Sequence, residues 1–221
     1  ACDTITLKNH KNYPVPIVAG NVSFYNESKN KAIPPSPIIS CLGKLENVNK
    51  SIGSSFISTE TNIILVGERK NELGGSVYYE LNNELGKNVP KPDLKEVKSQ
   101  IFALIDCIRS GLILSCHDIS DGGIACALSE MTFKNQIGAE INIDSELRED
   151  QALFSETGGF LLEIEKSSLI KIRSIFSNYG LNVFKIGKTN NSNQLIINKC
   201  INISLKKTTQ AWTNGLRDKL I

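Results

Sequence analysis

The amino-acid sequence predicts an α/β (α+β) fold, a mixed β-sheet with helices packed against it. Three observations carry that expectation. Short apolar runs bounded by glycine, proline and polar residues recur along the chain as strand candidates, and stretches of helical spacing stand between them. The run from Leu112 to Met131 reads as strand, loop and helix in immediate succession. No period of the solenoid kind is present.

Taken in order, residues 13–19 (YPVPIVA) read as a short extended segment that enters a polar loop, Gly20-Asn21-Val22-Ser23-Phe24-Tyr25-Asn26-Glu27-Ser28. Pro34, Pro35 and Pro37 keep the next stretch out of helix and lead into a strand-like run, Ile38–Leu42, closed by Gly43. A domain boundary is placed here, with 1–40 as the remnant of a preceding domain and 41–221 as the main one. A second strand spans Ile63–Gly67, and the paired glycines Gly74 and Gly75 imply a tight turn before Val77 and Tyr78. The clearest helix runs from Leu94 to Arg109, with Leu94, Val97, Ile101, Leu104, Ile105 and Ile108 on one stripe. Asp93 is placed to cap it, Glu96 follows three residues later, and Gly111 suits the left-handed position beyond its end.

Leu112–Cys116 reads as a buried strand, followed by the loop His117-Asp118-Ile119-Ser120-Asp121-Gly122-Gly123 and a helix carrying Ile124, Leu128 and Met131. Further strands are expected at 139–143, 160–164, 183–187 and 194–198. A helix over 168–179 should stop at Gly180, and a terminal helix aligns Trp212 with Leu216 and Leu220.

Composition narrows the function classes. Of 221 residues, 40% are hydrophobic and 22% charged, which is globular usage and enough chain for a real core. The formal net charge of +2 comes from dispersed residues, so a nucleic-acid partner has little electrostatic support. No apolar run approaches the roughly 20 residues that span a bilayer, so no membrane role is expected. The start, Ala1-Cys2-Asp3-Thr4, has no signal-peptide pattern, and since the only methionine is Met131 the chain is expected to begin inside a longer product. The six cysteines show neither CxxC pairing nor zinc-like spacing with His10 or His117, which suits a reducing cytoplasm.

Three stretches carry candidate chemistry. In Gly20-Asn21-Val22-Ser23 a glycine after an extended segment lets backbone N–H groups approach a phosphate, while Asn and Ser supply neutral oxygens of the kind magnesium accepts. The alternative is a polar turn bonded only to local backbone. In the second stretch Gly122 and Gly123 open a helix whose free N–H groups favour an anion, with Asp121 as its cap and Asp118 as metal ligand or loop brace. His117 is either a base or a hydrogen-bonded residue at a strand end. The third stretch is Phe154-Ser155-Glu156-Thr157-Gly158-Gly159. Cys107, Cys116 and Cys126 lack triad-like partners and read as buried core, and Trp212 reads as a packing residue.

The stretch GNVSFYNES, with PPSPIISCLG, ELGGSVYYEL, HDISDGGIACALSEM and LFSETGGFLLEI in the same order, resembles the phosphoribosylformylglycinamidine synthase family over nearly the whole chain. The relatives of that superfamily include aminoimidazole ribonucleotide synthetase, and the resemblance implies a fold like the C-terminal domain of that enzyme. It also implies an ATP-dependent ligase of purine synthesis using Mg2+ and formylglycinamide ribonucleotide, with ammonia supplied by a glutaminase subunit or domain. By resemblance Gly20 would contact ATP, Asn21 would hold magnesium and Ser23 would contact the substrate. No catalytic residue is assigned: the family's catalytic histidine lies in the earlier half of the synthetase, the expected partner of this one, and matches neither His10 nor His117. Family sequences usually carry Arg where Gly159 stands, so a phosphate or carboxylate clamp is missing at the later site.

Overall fold

The computed structural model describes residues 6–7, 10–21, 26–33, 36–45 and 47–215. The chain divides into two compact units, Ala1–Ser51 and Ile52–Ile221.

In the first unit β1 (Thr6–Leu7) pairs antiparallel with β2 (His10–Pro14). A second small ladder joins β3 (Glu27–Ser28) to β4 (Lys31–Ala32). Its turn residues, Lys29 at φ 49° and Asn30 at φ 62°, give the left-handed pair that matches the twist of a two-residue hairpin. The strand expected at Ile38–Leu42 is not formed. Among the described residues nothing pairs with that run, and Ile38, Ile39 and Leu42 are exposed.

The second unit is built on seven strands: β5 (Asn62–Val66), β6 (Ser115–Asp118), β7 (Gly138–Ile141), β8 (Phe160–Ile164), β9 (Val183–Asn190), β10 (Gln194–Ile197) and β11 (Ile201–Ser204). Their order across the sheet is β11-β10-β7-β9-β5-β8-β6. β5 lies antiparallel between β8 and β9, β7 and β10 run parallel, and the remaining pairs are antiparallel. The sheet is therefore mixed, as expected.

Among the described residues six α-helices accompany it: α1 (Val77–Leu81), α2 (Leu94–Arg109), α3 (Gly123–Thr132), α4 (Glu149–Phe154), α5 (Leu169–Ser177) and α6 (Leu205–Asn214). Alternating residues of the central strands send apolar side chains to opposite faces. Ile63 and Leu65 of β5, with Leu161 of β8, pack on one side with Ile124, Leu128 and Met131 of α3, Leu153 of α4 and Leu205 of α6. Ile64, Val66, Leu162 and Ile164 face the other side, with Ala103, Leu104 and Cys107 of α2 and Ile172 and Phe176 of α5. Every residue of β5 is buried, the pattern of a strand covered on both faces. Each buried Ile, Leu, Val, Met or Phe side chain of these two layers contributes about 1.5–3 kcal/mol by leaving water.

Local signals set the ends. Asp93 accepts hydrogen bonds from the Lys95 and Glu96 amides at the start of α2, and Gly111 adopts φ 68° beyond its end. At Gly74 a Cβ would stand 2.7 Å from the Asn88 carbonyl carbon, so only glycine lets the turn lie against that strap. The helix that follows, α1, starts on Ser76, whose hydroxyl accepts from the Tyr79 amide. The expected helix around Trp212 begins earlier, at Leu205, capped by Ser204; Leu216 and Leu220 lie outside the described residues. Trp212 is 65% exposed and leans on Phe133, ring centroids 5.7 Å apart, so the packing role expected of it is met only at the surface.

Candidate functional site

A cleft of about 360 Å³ opens at one end of the sheet, where β5 and β6 finish and β8 begins. Gly67 follows β5, Asp118 ends β6, Glu156 to Gly159 lead into β8, and the Pro90–Pro92 segment runs along the rim. The walls come together because backbones approach closely. The Ile119 amide donates to the Gly159 carbonyl at 2.9 Å, and a Cβ on Gly159 would stand 2.5 Å from the Val66 carbonyl. Gly159, where the resemblance led us to expect Arg, is thus a place where two backbones meet and a side chain would have to push them apart.

The HDISDGG and FSETGG stretches, distant in sequence, are joined here by Glu156. One of its oxygens, Oε1, accepts from the Gly122 amide at 2.9 Å and from the Val77 amide at 2.9 Å. Those donors stand at the starts of α3 and α1, where N–H groups lack partners within the helix. The anion favoured at the start of α3 is the chain's own carboxylate. The expectation that Asp121 caps α3 is corrected: Gly122 is the capping residue, in left-handed backbone at φ 75°, and no side chain caps from that position. The left-handed turn leaves the acceptor to come from a loop 34 residues away.

A guanidinium unrecognised in the sequence, that of Arg69, fixes the loop that carries Glu156. Arg69 donates from Nη1 to the Thr157 carbonyl at 2.7 Å, from Nη2 to the Ser155 carbonyl and from Nε to the Ala152 carbonyl at 3.4 Å. These carbonyls sit at and beyond the C-terminal end of α4, the end that attracts a cation. Burial pulls the Arg69 pKa down to about 10 against a partly offsetting Glu72, so the group stays charged at neutral pH. Glu72 completes the brace, accepting from the Thr157 hydroxyl at 2.8 Å while its own amide donates to the Ser155 hydroxyl at 3.2 Å.

His117 is held at the end of β6, with Nε2 2.9 Å from Glu130 Oε2 and Nδ1 2.7 Å from the Asp118 carbonyl oxygen. Both ring nitrogens face acceptors, so the structural reading of this residue is met. The Asp118 side chain is 66% exposed at the cleft. Among the described residues no group of three or more His, Cys, Asp or Glu is arranged to hold a metal ion. Cys107 is buried and Cys116 half-buried, whereas Cys126 is exposed, contrary to the core reading. It lies on the outward side of α3, between the buried Ala125 and Ala127. Burial raises the Cys116 thiol to about 12, with Asp118 adding to the effect. Partial burial of its sulfur and then Glu130, Glu156 and Asp121 raise Cys126 also.

Of the residues expected to meet ligands, Gly20 and Asn21 lie in the first unit, exposed and outside regular structure. Among the described residues no neighbouring atom lies within 4 Å of where a Gly20 Cβ would stand. Ser23 lies outside the described residues. Asn21 offers one neutral oxygen, which fits magnesium as a single ligand among phosphate and water oxygens rather than as part of a protein cage.

Residues 60–198 match the family described as AIR synthase related protein, C-terminal domain. Phosphoribosylformylglycinamidine synthase subunit PurL of Methanothrix thermoacetophila is 35% identical over 226 residues, covering 100% of this chain and 29% of that protein. The subunit of the same name from Thermus thermophilus is 35% identical over 210 residues, covering 93% of this chain and 29% of that protein. The chain thus spans under a third of the length of these relatives. The structure of PurL from Thermotoga maritima complexed with FGAR superposes with a TM-score of 0.65 at 14% identity, covering 73% of this chain and 30% of that one. The ATP complex of the same protein gives 0.59 at 15%, covering 73% and 28%. These likenesses show the fold. The mixed seven-stranded sheet, its two helical layers and the match over residues 60–198 together make this chain a member of the family of AIR synthase related C-terminal domains.

Proposed function

We propose that this chain is the C-terminal part of the synthetase of phosphoribosylformylglycinamidine synthase, the ligase that converts formylglycinamide ribonucleotide and glutamine-derived ammonia to the amidine at the expense of ATP. The observation that carries the reading is identity of about a third sustained along the entire chain with relatives bearing that name. The site resemblance in GNVSFYNES adds the residue assignments. In this reading residues 1–40 are the end of the preceding ATP-binding domain, and 41–221 the C-terminal-like domain. The remaining part of the synthetase supplies the catalytic histidine, and a glutaminase subunit or domain supplies ammonia. A solved structure of PurLQS from Thermotoga maritima supports assembly with further subunits for that relative. The exposed thiols of Cys41, Cys126 and Cys200 suit a cytoplasmic setting.

The division of labour follows from the chemistry. Phosphoryl transfer to an amide oxygen needs negative charge balanced and reactants aligned. Magnesium, when bound, would screen the phosphate oxygens. The Gly20 backbone would approach the ATP phosphates without steric cost, Asn21 would direct its side-chain oxygen to the metal, and Ser23 would hydrogen-bond the ribonucleotide substrate. In the full-length enzyme Asn21→Ala should raise the magnesium and ATP requirement, and Ser23→Ala the substrate KM. Each should lose about tenfold or more in kcat/KM, the factor that 1.4 kcal/mol of lost binding represents. Unchanged kinetics in both variants would remove the assignments, and a full-length enzyme without ligase activity would remove the function.

A further inference from the structure

The stretch from Leu73 to Pro90, which carries α1, is a lobe closed on itself. The Gly74 amide donates to the Asn88 carbonyl at 2.7 Å and the Gly75 amide to the Leu85 carbonyl at 2.7 Å, so its two limbs are bonded to each other. Between them the Glu80 and Glu84 amides donate to the Ser76 and Tyr79 carbonyls at 3.0 and 2.8 Å. The Tyr79 ring fills the middle: a Cβ on Gly86, at φ 71°, would stand 2.5 Å from Tyr79 Cε2. A loop with its ends together and its interior filled by its own side chains is of the Ω kind, and such a unit can open as one body.

The feet of the lobe are joined and fixed. The Lys91 amide donates to Glu72 Oε1 at 3.3 Å across the two feet, and Glu72 is itself tied to Ser155 and Thr157 before β8. Leu73 is the buried pivot, its carbonyl accepting from the Ser76 amide at 3.1 Å and the Ser76 hydroxyl at 2.7 Å. Two contacts beyond the feet close the lobe on the body, and both fall on one short segment. The Val77 amide donates to Glu156 Oε1 at 2.9 Å, and the Tyr78 ring stacks on Phe154 with centroids 4.7 Å and planes 12° apart. Glu156 also accepts from the Gly122 amide at 2.9 Å, a bond in which the lobe has no part. The same Glu156 lines the cleft, beside the Pro90–Pro92 rim on which the lobe ends.

We propose that the lobe is a lid on this cleft, turning on its joined feet and latched by Glu156. Opening breaks the Val77 bond and lifts Tyr78 off Phe154, while the bonds inside the lobe and the bond from Gly122 to Glu156 hold. Glu156 Oε1 then has a lone pair free at the cleft wall to accept from an N–H or O–H group inside. Opening gives up one hydrogen bond and one ring stack and leaves both buried layers of the sheet untouched, so it lies well below global unfolding. Lids of this kind are drawn from the least stable parts of a fold. The lid stands on the contacts of the lobe and is independent of the reaction proposed above.

Amide exchange on the full-length protein, read by mass spectrometry with fragmentation to single residues, tests it. Relative to open backbone, the Val77 amide should exchange at least about tenfold faster than the Gly122, Glu80 and Glu84 amides, and about a hundredfold faster than those of β5. Tyr78→Ala, which removes the stack, should speed Val77 about tenfold further and leave Glu80 and Glu84 behind it. A Val77 amide as slow as β5 overturns the proposal, because the lobe then stays shut. Val77 and Gly122 exchanging alike overturns it in favour of Glu156 leaving both helices together. Glu80 and Glu84 keeping pace with Val77 overturns it in favour of a lobe that unravels rather than turns. Unchanged Val77 exchange in Tyr78→Ala overturns it as well.

Discussion

Glu163 is wholly buried on β8, and its carboxylate accepts four hydrogen bonds: from the Ile57 amide at 2.9 Å and the Ser115 hydroxyl at 2.8 Å on Oε2, and from the Ser58 amide at 3.0 Å and the Thr61 hydroxyl at 3.0 Å on Oε1. No Lys, Arg or His forms an ion pair with it among the described residues. The charge is held by donors alone. Glu163→Gln keeps the shape but turns one oxygen into an NH2 group. A serine or threonine hydroxyl can rotate to accept from that group, but a backbone N–H cannot. Whichever way the amide sits, either the Ile57 or the Ser58 amide meets a donor. Loss of one charge-assisted bond and the unpaired N–H left behind should cost about 2–3 kcal/mol. Glu163→Ala strips both amides of their acceptor and should cost about 3–5 kcal/mol. Urea unfolding of the three proteins, followed by far-ultraviolet circular dichroism, measures both differences. A glutamine variant within about 0.5 kcal/mol of the parent protein would refute the reasoning, because a saturated carboxylate cannot be exchanged for an amide at that cost.

Glu156→Ala should destabilise the second unit by about 1–2 kcal/mol, since two helix starts lose their shared acceptor; exchange at Val77 and Gly122 should rise together, and a rise at only one would show that the two are not joined. Thiol alkylation at pH 8 should modify the exposed Cys41 readily and spare Cys107 and Cys116, which mass mapping reads directly. With the Cys116 pKa raised from 9.0 to about 12, the folded state holds that proton more tightly than the unfolded chain does. The stability contribution is therefore full below pH 9 and lost as pH climbs toward 12, by at most about 1.4 kcal/mol per unit. Cys116→Ala should flatten the alkaline limb of a stability–pH curve, and an unchanged limb would reject the assignment.

Much of the sheet was legible because interior strands announce themselves. Phe160–Ile164 and the run before Gly67 are almost wholly apolar, and the long stripe of Leu94–Arg109 has caps at both ends. The helices α1 and α4, of five and six residues, complete fewer than two turns and leave no period to read. The key buried charges escaped for another reason. Glu163 in FLLEI and Arg69 in ERK look like solvent-facing charges, and their partners lie 48 to 106 residues and 83 to 88 residues away, beyond any local pattern. Asp121 shows the converse, a good cap in composition displaced by the left-handed glycine after it. At Gly20 and Asn21 the residue types alone left a ligand loop and a plain polar turn both open, and the preference for ligand roles rests on family likeness, because a few polar and small residues in a loop have no geometry of their own.

A single oxygen on which two helices begin has a cost in independence. α1 and the strap behind it cannot shift away from α3 without breaking a bond at one of their starts, and no substitution at 156 alters one helix alone. Variation at this position is therefore confined to side chains that reach both amides at once, or must arrive together with a change in each helix. The loop before β8 behaves as a keystone, narrow in sequence and wide in what it holds.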